Sequence, residues 1–453
     1  MNRPHEHLPR RQLTVWHAVS VCVGMVIGAG IFKTTPNAAA NMSSGMELML
    51  AWVFGGVVAF IGALCFAEMA AAFPDPGGDY FFLRKAYGSS LGYLFAWSRF
   101  AVIHTGSMAL LAFVFGDYLG QIVHFGPYDS AIFATVIIIA LTLVNLAGIQ
   151  FGIGTQVTLM LIVLAGLLSV GFAGIWLCWH DALGSLPAAA SGVAAHDTAA
   201  PATKNIGVGL VFIFLAYGGW NDAATLSAEM KNEKHGITKA LLIGMSIVTA
   251  LYLLVNWAFL RGLGLAGLAH SDAPAADLML LAFGKAGQVV IVGVVAVTTI
   301  TVMNAIMIVG ARTTYAAARD TGALHSLGRW HAVRGTPSAA IVAISVVALA
   351  LVGFGTYTRR GFETMVDFLS PVFWFFLTLS SLAVIVLRRR YPDIRRPFLV
   401  PMYPWLPIAF AISSVYVLYS SLVYVKIGAL VGVAVLLIGA CLLIPLERRN
   451  RRG

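Results

Sequence analysis

Gly28-Ala29-Gly30 lies inside one apolar stretch, Trp16 to Ile31, and Gly218-Gly219 lies inside another, Ile206 to Ala224. Glycine is a poor helix former, so each pair marks a place where a helix can break. A broken helix exposes backbone N–H donors where its second half begins and carbonyl acceptors where its first half ends. The donors, at the positive end of a helix dipole, suit a carboxylate; the freed carbonyls suit an ammonium group. Together they match a zwitterion. The N–H groups of Ala29, Gly30 and Ile31 are expected to meet the carboxylate, with the carbonyls near Val26, Ile27, Leu215 and Ala216 facing the ammonium. Close helix packing through small residues is the other use such glycines have.

The elements that must carry these breaks are membrane spans. The chain has 453 residues, is 59% hydrophobic and 11% charged, and has a mean hydropathy of +0.86. A soluble domain carries about a quarter charged residues. Apolar runs approaching the ~20 residues that cross a bilayer recur along the sequence. The class is a polytopic α-helical membrane protein. In hydrocarbon an interrupted helix is tolerated only beside a cavity or inside protein, and a pair of interrupted spans in two chain halves points to a transporter's binding site.

Twelve spans are predicted, over about 15–40, 46–72, 88–120, 130–148, 153–179, 205–230, 238–260, 287–317, 338–356, 363–388, 403–424 and 427–446. Spans 1–5 and 6–10 each begin with a broken helix. An odd number of spans per unit inverts the second unit relative to the first. The expected divisions are a cytoplasmic segment (1–14), a first repeat (15–180), an outer loop (181–204), a second repeat (205–390), and spans 11–12 with a basic tail (391–453). Met1 to Gln12 is polar, and the first span is longer than the apolar core of a leader, so no cleavable signal is expected.

The net charge of +10 follows the positive-inside pattern rather than a nucleic-acid footprint. Arg10, Arg11, Arg84, Lys85, Lys231, Lys234, Arg319, Arg329, Arg334, Arg388 to Arg390, Arg395, Arg396 and the tail from Arg448 to Arg452 fall on one side. Lys204, Arg261, Lys285, Arg359, Arg360 and Lys426 form a sparser set opposite. Both termini are then cytoplasmic, in a plasma membrane, with the bacterial inner membrane expected. The four cysteines, Cys22, Cys65, Cys178 and Cys441, lie in apolar spans without CxxC spacing and read as packing thiols. His180, Asp181, His196 and Asp197 in the outer loop lack ligand-like spacing, so no metal or cofactor is expected.

Four separated motifs carry a family resemblance. Met25-Val26-Ile27-Gly28-Ala29-Gly30-Ile31-Phe32 resembles the first-helix motif of the amino acid–polyamine–organocation family. Phe66-Ala67-Glu68-Met69, followed by Phe73-Pro74-Asp75-Pro76-Gly77-Gly78-Asp79-Tyr80, is similar to its second-helix and re-entrant-loop signature. Ala216-Tyr217-Gly218-Gly219-Trp220-Asn221 resembles the unwound sixth helix of the L-type amino-acid transporter branch. Arg388-Arg389-Arg390-Tyr391-Pro392-Asp393 with Arg396-Pro397-Phe398 is similar to the loop after span 10. The resemblance implies the leucine-transporter fold, a 5+5 inverted repeat with alternating access. It implies substrate contacts at Ile27, Gly28, Ala29, Gly30, Ile31, Leu215, Ala216 and Gly218, with Asn221 a polar neighbour. Leu215 stands where the branch often has an aromatic gate.

The departures concern ions. Many members carry a lysine on span 5 between helices 1, 5 and 8; Val163 holds that position here, which puts lysine-based proton coupling in doubt. Thr298, Thr299 and Thr301 on span 8, with carbonyls of Gly24 and Ile27, form a candidate sodium site; hydroxyls bonding back to their own helix is the alternative. His104 replaces a positive residue in a stretch that is commonly Ile-Arg-Pro-Ser-Ser, and reads either as a packed histidine or as a proton relay. Glu68, Glu229, Arg312 and Arg319 near the inner helix ends could latch an inner gate or simply sit at the interface. Asp222 could select a cationic side chain or cap the second half of helix 6.

No HExxH or GxxxxGK[ST] motif supports an enzyme or an ATP-driven pump. Helices broken at mid-depth suit an occluded site better than a continuous pore. Transport of a neutral amino acid is the expectation, with polyamine or basic amino-acid transport the alternative and Na+ or H+ the candidate coupling ions. The segment Gln121 to Asp129 has no cysteine, so the disulfide-linked accessory subunit of the animal L-type branch is not expected. Membrane lipid is the only other partner expected; nucleic acid is not.

Overall fold

A computed structural model describes residues 14–28, 30–75, 77–148, 153–182, 204–230, 236–321, 327–328, 336–425 and 429–450. Among these, the regular structure is helical. The helices are α1 (Val15–Val26), α2 (Ile31–Ala40), α3 (Gly45–Ala72), α4 (Asp79–Tyr87), α5 (Ser89–Ser98), α6 (Thr105–Leu119), α7 (Asp129–Leu146), α8 (Ile153–Ala182) and α9 (Ile206–Ala216). They continue as α10 (Gly236–Ala269), α11 (Pro274–Thr321), α12 (Ser338–Thr358), α13 (Gly361–Arg390), α14 (Trp405–Val425) and α15 (Ala429–Asn450). Among the described residues nine helices are long and apolar enough to cross a membrane, and α1 with α2, bent by 46°, makes up to a tenth. The short helix α9 and the segment Val431–Cys441 of α15 are also apolar.

Each predicted span contains helix, and the differences sit at glycines. Span 7 extends to Ala269 through Gly264, whose φ of 67° kinks it. Span 8 starts earlier than expected, at Pro274, and turns at Gly284 with φ 66°. Only glycine accepts such a backbone without strain, so both helices change direction there. The outer loop from 183 to 203, including His196 and Asp197, lies outside the described residues.

The spans are held by close approach rather than by hydrophobic exclusion, since lipid is as apolar as leucine. A Cβ at Gly62 of α3 would fall 2.5 Å from the Trp220 ring, and one at Gly56 would fall 2.6 Å from Thr249. These glycines let α3 press onto α10 and onto the segment after α9. Trp52, Tyr217 and Tyr252 pack tilted and edge-to-face in that contact, with ring centroids 5.1–5.6 Å apart. The aromatic cluster fixes α3 and α10 against the second break.

Candidate functional site

α1 ends in a tight turn. Ile27, at φ −75° and ψ 70°, has the geometry of an inverse γ-turn, and Gly28 N–H donates to the Val26 carbonyl at 2.7 Å. The chain re-enters helix at Gly30, whose carbonyl accepts from Lys33 N–H (3.0 Å) and Thr34 N–H (2.8 Å). The first N–H groups of α2 therefore open into the break, as helix geometry requires. Ala29 lies outside the described residues. Ile27 and Ile31 are buried.

The second break begins after Ala216. Gly218 N–H donates back to the Leu215 carbonyl at 3.1 Å, and Gly219 takes φ 101°. Helix resumes only as a tight three-residue-per-turn segment from Asp222 to Glu229. The two breaks touch. A Cβ on Gly219 would lie 2.5 Å from the Met25 carbonyl oxygen, and one on Gly30 would lie 3.7 Å from the Ala216 Cα. Gly219, absent from the expected contacts, thus brings the backbones of the interrupted helices together; its adjacent-glycine spelling was the available signal.

Tyr252 of α10 sits where both first halves end. Its buried hydroxyl lies 2.9 Å from the Val26 carbonyl and 3.0 Å from the Ala216 carbonyl. Of the carbonyls expected to face an ammonium group, Val26, Ala216 and Leu215 thus already accept hydrogen bonds within the protein. Among the described residues the Ile27 carbonyl has no such backbone bond. Leu215 is half-buried at the break, and Gly28 faces Val302 of α11.

The candidate cation residues lie on α1, α8 and α11. Thr298, Thr299 and Thr301 each donate to a carbonyl of their own helix at 2.7 Å, so their hydroxyls are used locally while a lone pair on each remains. Val163 is buried, and a Cβ on Gly24 would meet nothing within 4 Å.

Between α5 and α6 the third span widens into a π-turn over Arg99–His104. Bonding from i to i+5 stacks residue 104 over residue 99, and such bulges concentrate at functional sites. Arg99 Nε donates to His104 Nε2 at 3.2 Å, and Arg99 Nη2 donates to Asp222 Oδ1 at 2.7 Å. His104 is buried with its Nδ1 against Gly310, where a Cβ would fall 2.8 Å away. Asp222 is therefore held by Arg99. Asn221 reaches in the other direction, its Nδ2 donating to Asp79 Oδ2 at 2.8 Å. Sequence reading missed Arg99, although a guanidinium in an apolar span is itself a signal.

Glu68 near the end of α3 has different partners from those expected. It accepts from Arg388 at 2.6 Å on both oxygens and from Val400 N–H at 2.7 Å, with Arg396 Nε 3.6 Å away. Arg396 also donates to the carbonyls of Leu387 and Tyr391, capping α13. The arginine-rich loop motif is thus a clamp around one buried carboxylate. Arg312 is exposed, and the side chains of Glu229 and Arg319 lie outside the described residues. On the other side of the breaks, Lys33 of α2 meets Asp117 of α6 at 2.8 Å and Asp272 at 3.2 Å.

Two interrupted helices meet glycine to carbonyl inside a bundle of apolar helices, the architecture of a multi-pass membrane protein. A family model described as "Amino acid permease" matches residues 13–444, and the chain belongs to that family. It is 26% identical over 428 residues to the b(0,+)-type amino acid transporter 1 of Mus musculus, covering 91% of this chain and 83% of that one. It is 25% identical over 429 residues to the serine/threonine exchanger SteT of Bacillus subtilis (strain 168), covering 91% and 92%. With the large neutral amino acids transporter small subunit 2 of Mus musculus it shares 24% over 445 residues, covering 95% and 80%. The resemblance to the amino acid–polyamine–organocation transporters and their L-type branch holds along most of the chain.

Proposed function

We propose that this protein carries neutral amino acids across a membrane by alternating access. The observation that carries the reading is the contact between the breaks, Gly219 against the Met25 carbonyl and Gly30 against Ala216. That crossing brings the N–H groups at the start of α2 to where α1, α9 and α10 also converge. A carboxylate is bound there by Gly30 and Ile31, with Ala29 between the halves, and Ile27 supplies an acceptor for the ammonium. Leu215 and Gly218 border the side chain, and Asn221 orders the segment beyond.

Twelve spans in a 5+5 inverted repeat of the leucine-transporter type, 15–180 and 205–390, with spans 11 and 12 outside it, suit this mechanism. The placement of Arg84, Lys85 and Arg388 to Arg390 supports cytoplasmic termini in a bacterial inner membrane. Val163 offers no charge for proton coupling, and the locally bonded threonines favour uniport or exchange over sodium coupling. Relatives named as an exchanger and as amino acid transporters support the same reading. Asp222 gives little support to a polyamine or basic substrate, because Arg99 already neutralises it. The segment Gln121 to Asp129 offers no thiol for a disulfide-linked subunit.

The deciding experiment is uptake of labelled leucine and alanine into proteoliposomes, competed by each of the twenty amino acids. Saturable uptake, inhibited by small and medium neutral amino acids and lost in Gly30→Val, is expected. Uptake unchanged in a folded Gly30→Val protein, or inhibition by polyamines alone, would sink the reading.

A further inference from the structure

Asp79 opens α4, the short helix between the second and third spans, on the side of the breaks that carries Lys85 and Arg388. It is only 4% exposed. Its Oδ2 accepts from Asn221 Nδ2 at 2.8 Å, while its Oδ1 has no hydrogen-bond partner. Gly78 has φ 49°, and a Cβ there would fall 2.6 Å from Thr225, so the start of α4 is pressed onto the segment after the second break. The space beside Asp79, walled by Arg99, Asn221, Asp222, Phe373 and Leu377, has room for about one water molecule.

The charges around this carboxyl do not balance. Arg99 is engaged by Asp222 and by His104, and His104 is neutral because its Nε2 accepts from Arg99. Asp222 adds a second negative charge on the same wall. On α4 itself, Lys85 is held over the rings of Phe73, Phe81 and Tyr391, and the Arg84 stem packs on Gly92. From α13 only Phe373, Phe376 and Leu377 reach the space. Arg388 is bound to Glu68, and Arg390 donates to the Ala86 carbonyl. Among the described residues Asp79 therefore has no ion-pair partner. The helix start favours an anion, but by less than burial without a counter-ion disfavours one. A carboxyl so placed takes up a proton instead. Burial, reinforced by Asp222 and opposed by Asn221 and Arg99, pushes Asp79 up to about 7.

We propose that Asp79 is a proton-binding site, its Oδ1 carrying a proton toward a single water while this side of the protein is closed and losing it when that side opens. Neutral Asp79 keeps its hydrogen bond from Asn221, so the segment after the second break stays docked on α4. Ionised Asp79 needs solvation, which opening supplies. The proton arrives from and returns to the same side, so it sets the rate of opening without driving accumulation. That consequence rests on the transport proposed above; the proton site does not.

Infrared titration of the purified full-length chain reads the carboxyl directly. Wild type should show the C=O stretch of a protonated carboxyl that disappears with a midpoint near pH 7 and is missing throughout in Asp79→Asn. Asp222→Asn removes the neighbouring negative charge and frees Arg99. It should move the midpoint down by at least about one pH unit, and it keeps the test open if Asp79→Asn fails to fold. Leucine exchange in proteoliposomes, with equal pH on both sides, should slow several-fold below the wild-type midpoint and be slow at every pH in Asp79→Asn. Identical spectra for wild type and Asp79→Asn, or a midpoint unmoved by Asp222→Asn, overturn the proton site. A titrating carboxyl with pH-independent exchange overturns its tie to opening. Exchange absent at every pH while the carboxyl still titrates overturns the transport reading and leaves the proton site standing.

Discussion

Lys33 and Asp117 form an ion pair of 2.8 Å between the second half of the first span and the third span, with the Lys33 side chain only 6% exposed. The contact lies on the opposite side of the breaks from the Arg99–Asp222 pair. It joins the second half of a broken helix to the third span, closing that face in this structure. Tyr118, next to Asp117, donates to the Phe32 carbonyl at 2.9 Å and strengthens the same closure.

Removing one member of a buried pair leaves the other charge uncompensated, at a cost of about 3–5 kcal/mol. Lys33→Met and Asp117→Leu should each lower the melting temperature and raise thiol labelling of a cysteine placed at Ala276, which is buried on that face. The double variant should recover much of the loss. Strictly additive losses would show that the two residues do not act as a pair.

Gly219→Ala should abolish uptake. Its φ of 101° is unfavourable for any residue with a Cβ, and that Cβ would meet the Met25 carbonyl at 2.5 Å. Gly30→Ala, whose Cβ finds 3.7 Å to Ala216, should be much better tolerated. Comparing the two uptake rates at equal expression checks the ranking; equal rates would contradict the close approach of the breaks.

Tyr252→Phe removes one hydroxyl that serves two helix ends. Losing a buried hydrogen bond and depriving the Ala216 carbonyl of this partner costs about 1–3 kcal/mol. The variant should melt lower and bind leucine several-fold more weakly, since Val26 and Ala216 lose their common anchor. Unchanged affinity would separate the Tyr252 contact from the substrate site.

Replacing sodium by choline should leave uptake unaltered, because Thr298 and Thr301 already donate within their own helix. An imposed pH gradient should likewise drive little accumulation, given Val163 on span 5. Sodium-dependent uptake that is lost in Thr298→Val or Thr301→Val would reverse this expectation.

Much of the architecture was legible in the residues because bilayer physics is one-dimensional. A span must be apolar for about twenty residues, and glycines within it mark where it can break or pack closely, as Gly218-Gly219 and Gly55-Gly56 respectively do. The positions of the spans, both interruptions and the family follow from such local rules. Glu68, too, announced itself as a charge near a helix end. Its partners did not: Arg388, Arg396 and the Val400 N–H lie more than three hundred residues away, and nothing local distinguishes them from Arg312.

Pairing is what the tertiary structure decided. Whether Asp222 faced a substrate or a neighbour depended on the π-turn that aims Arg99 at it. Whether the carbonyls at the breaks were open depended on Tyr252, which comes from a third helix. Which group Asn221 would serve depended on α4, which brings Asp79 within 2.8 Å of its amide. The sequence determines where charges and breaks occur, since each is a property of one short segment. Which of them neutralise one another depends on distances of about 3 Å between segments, and only packing sets those.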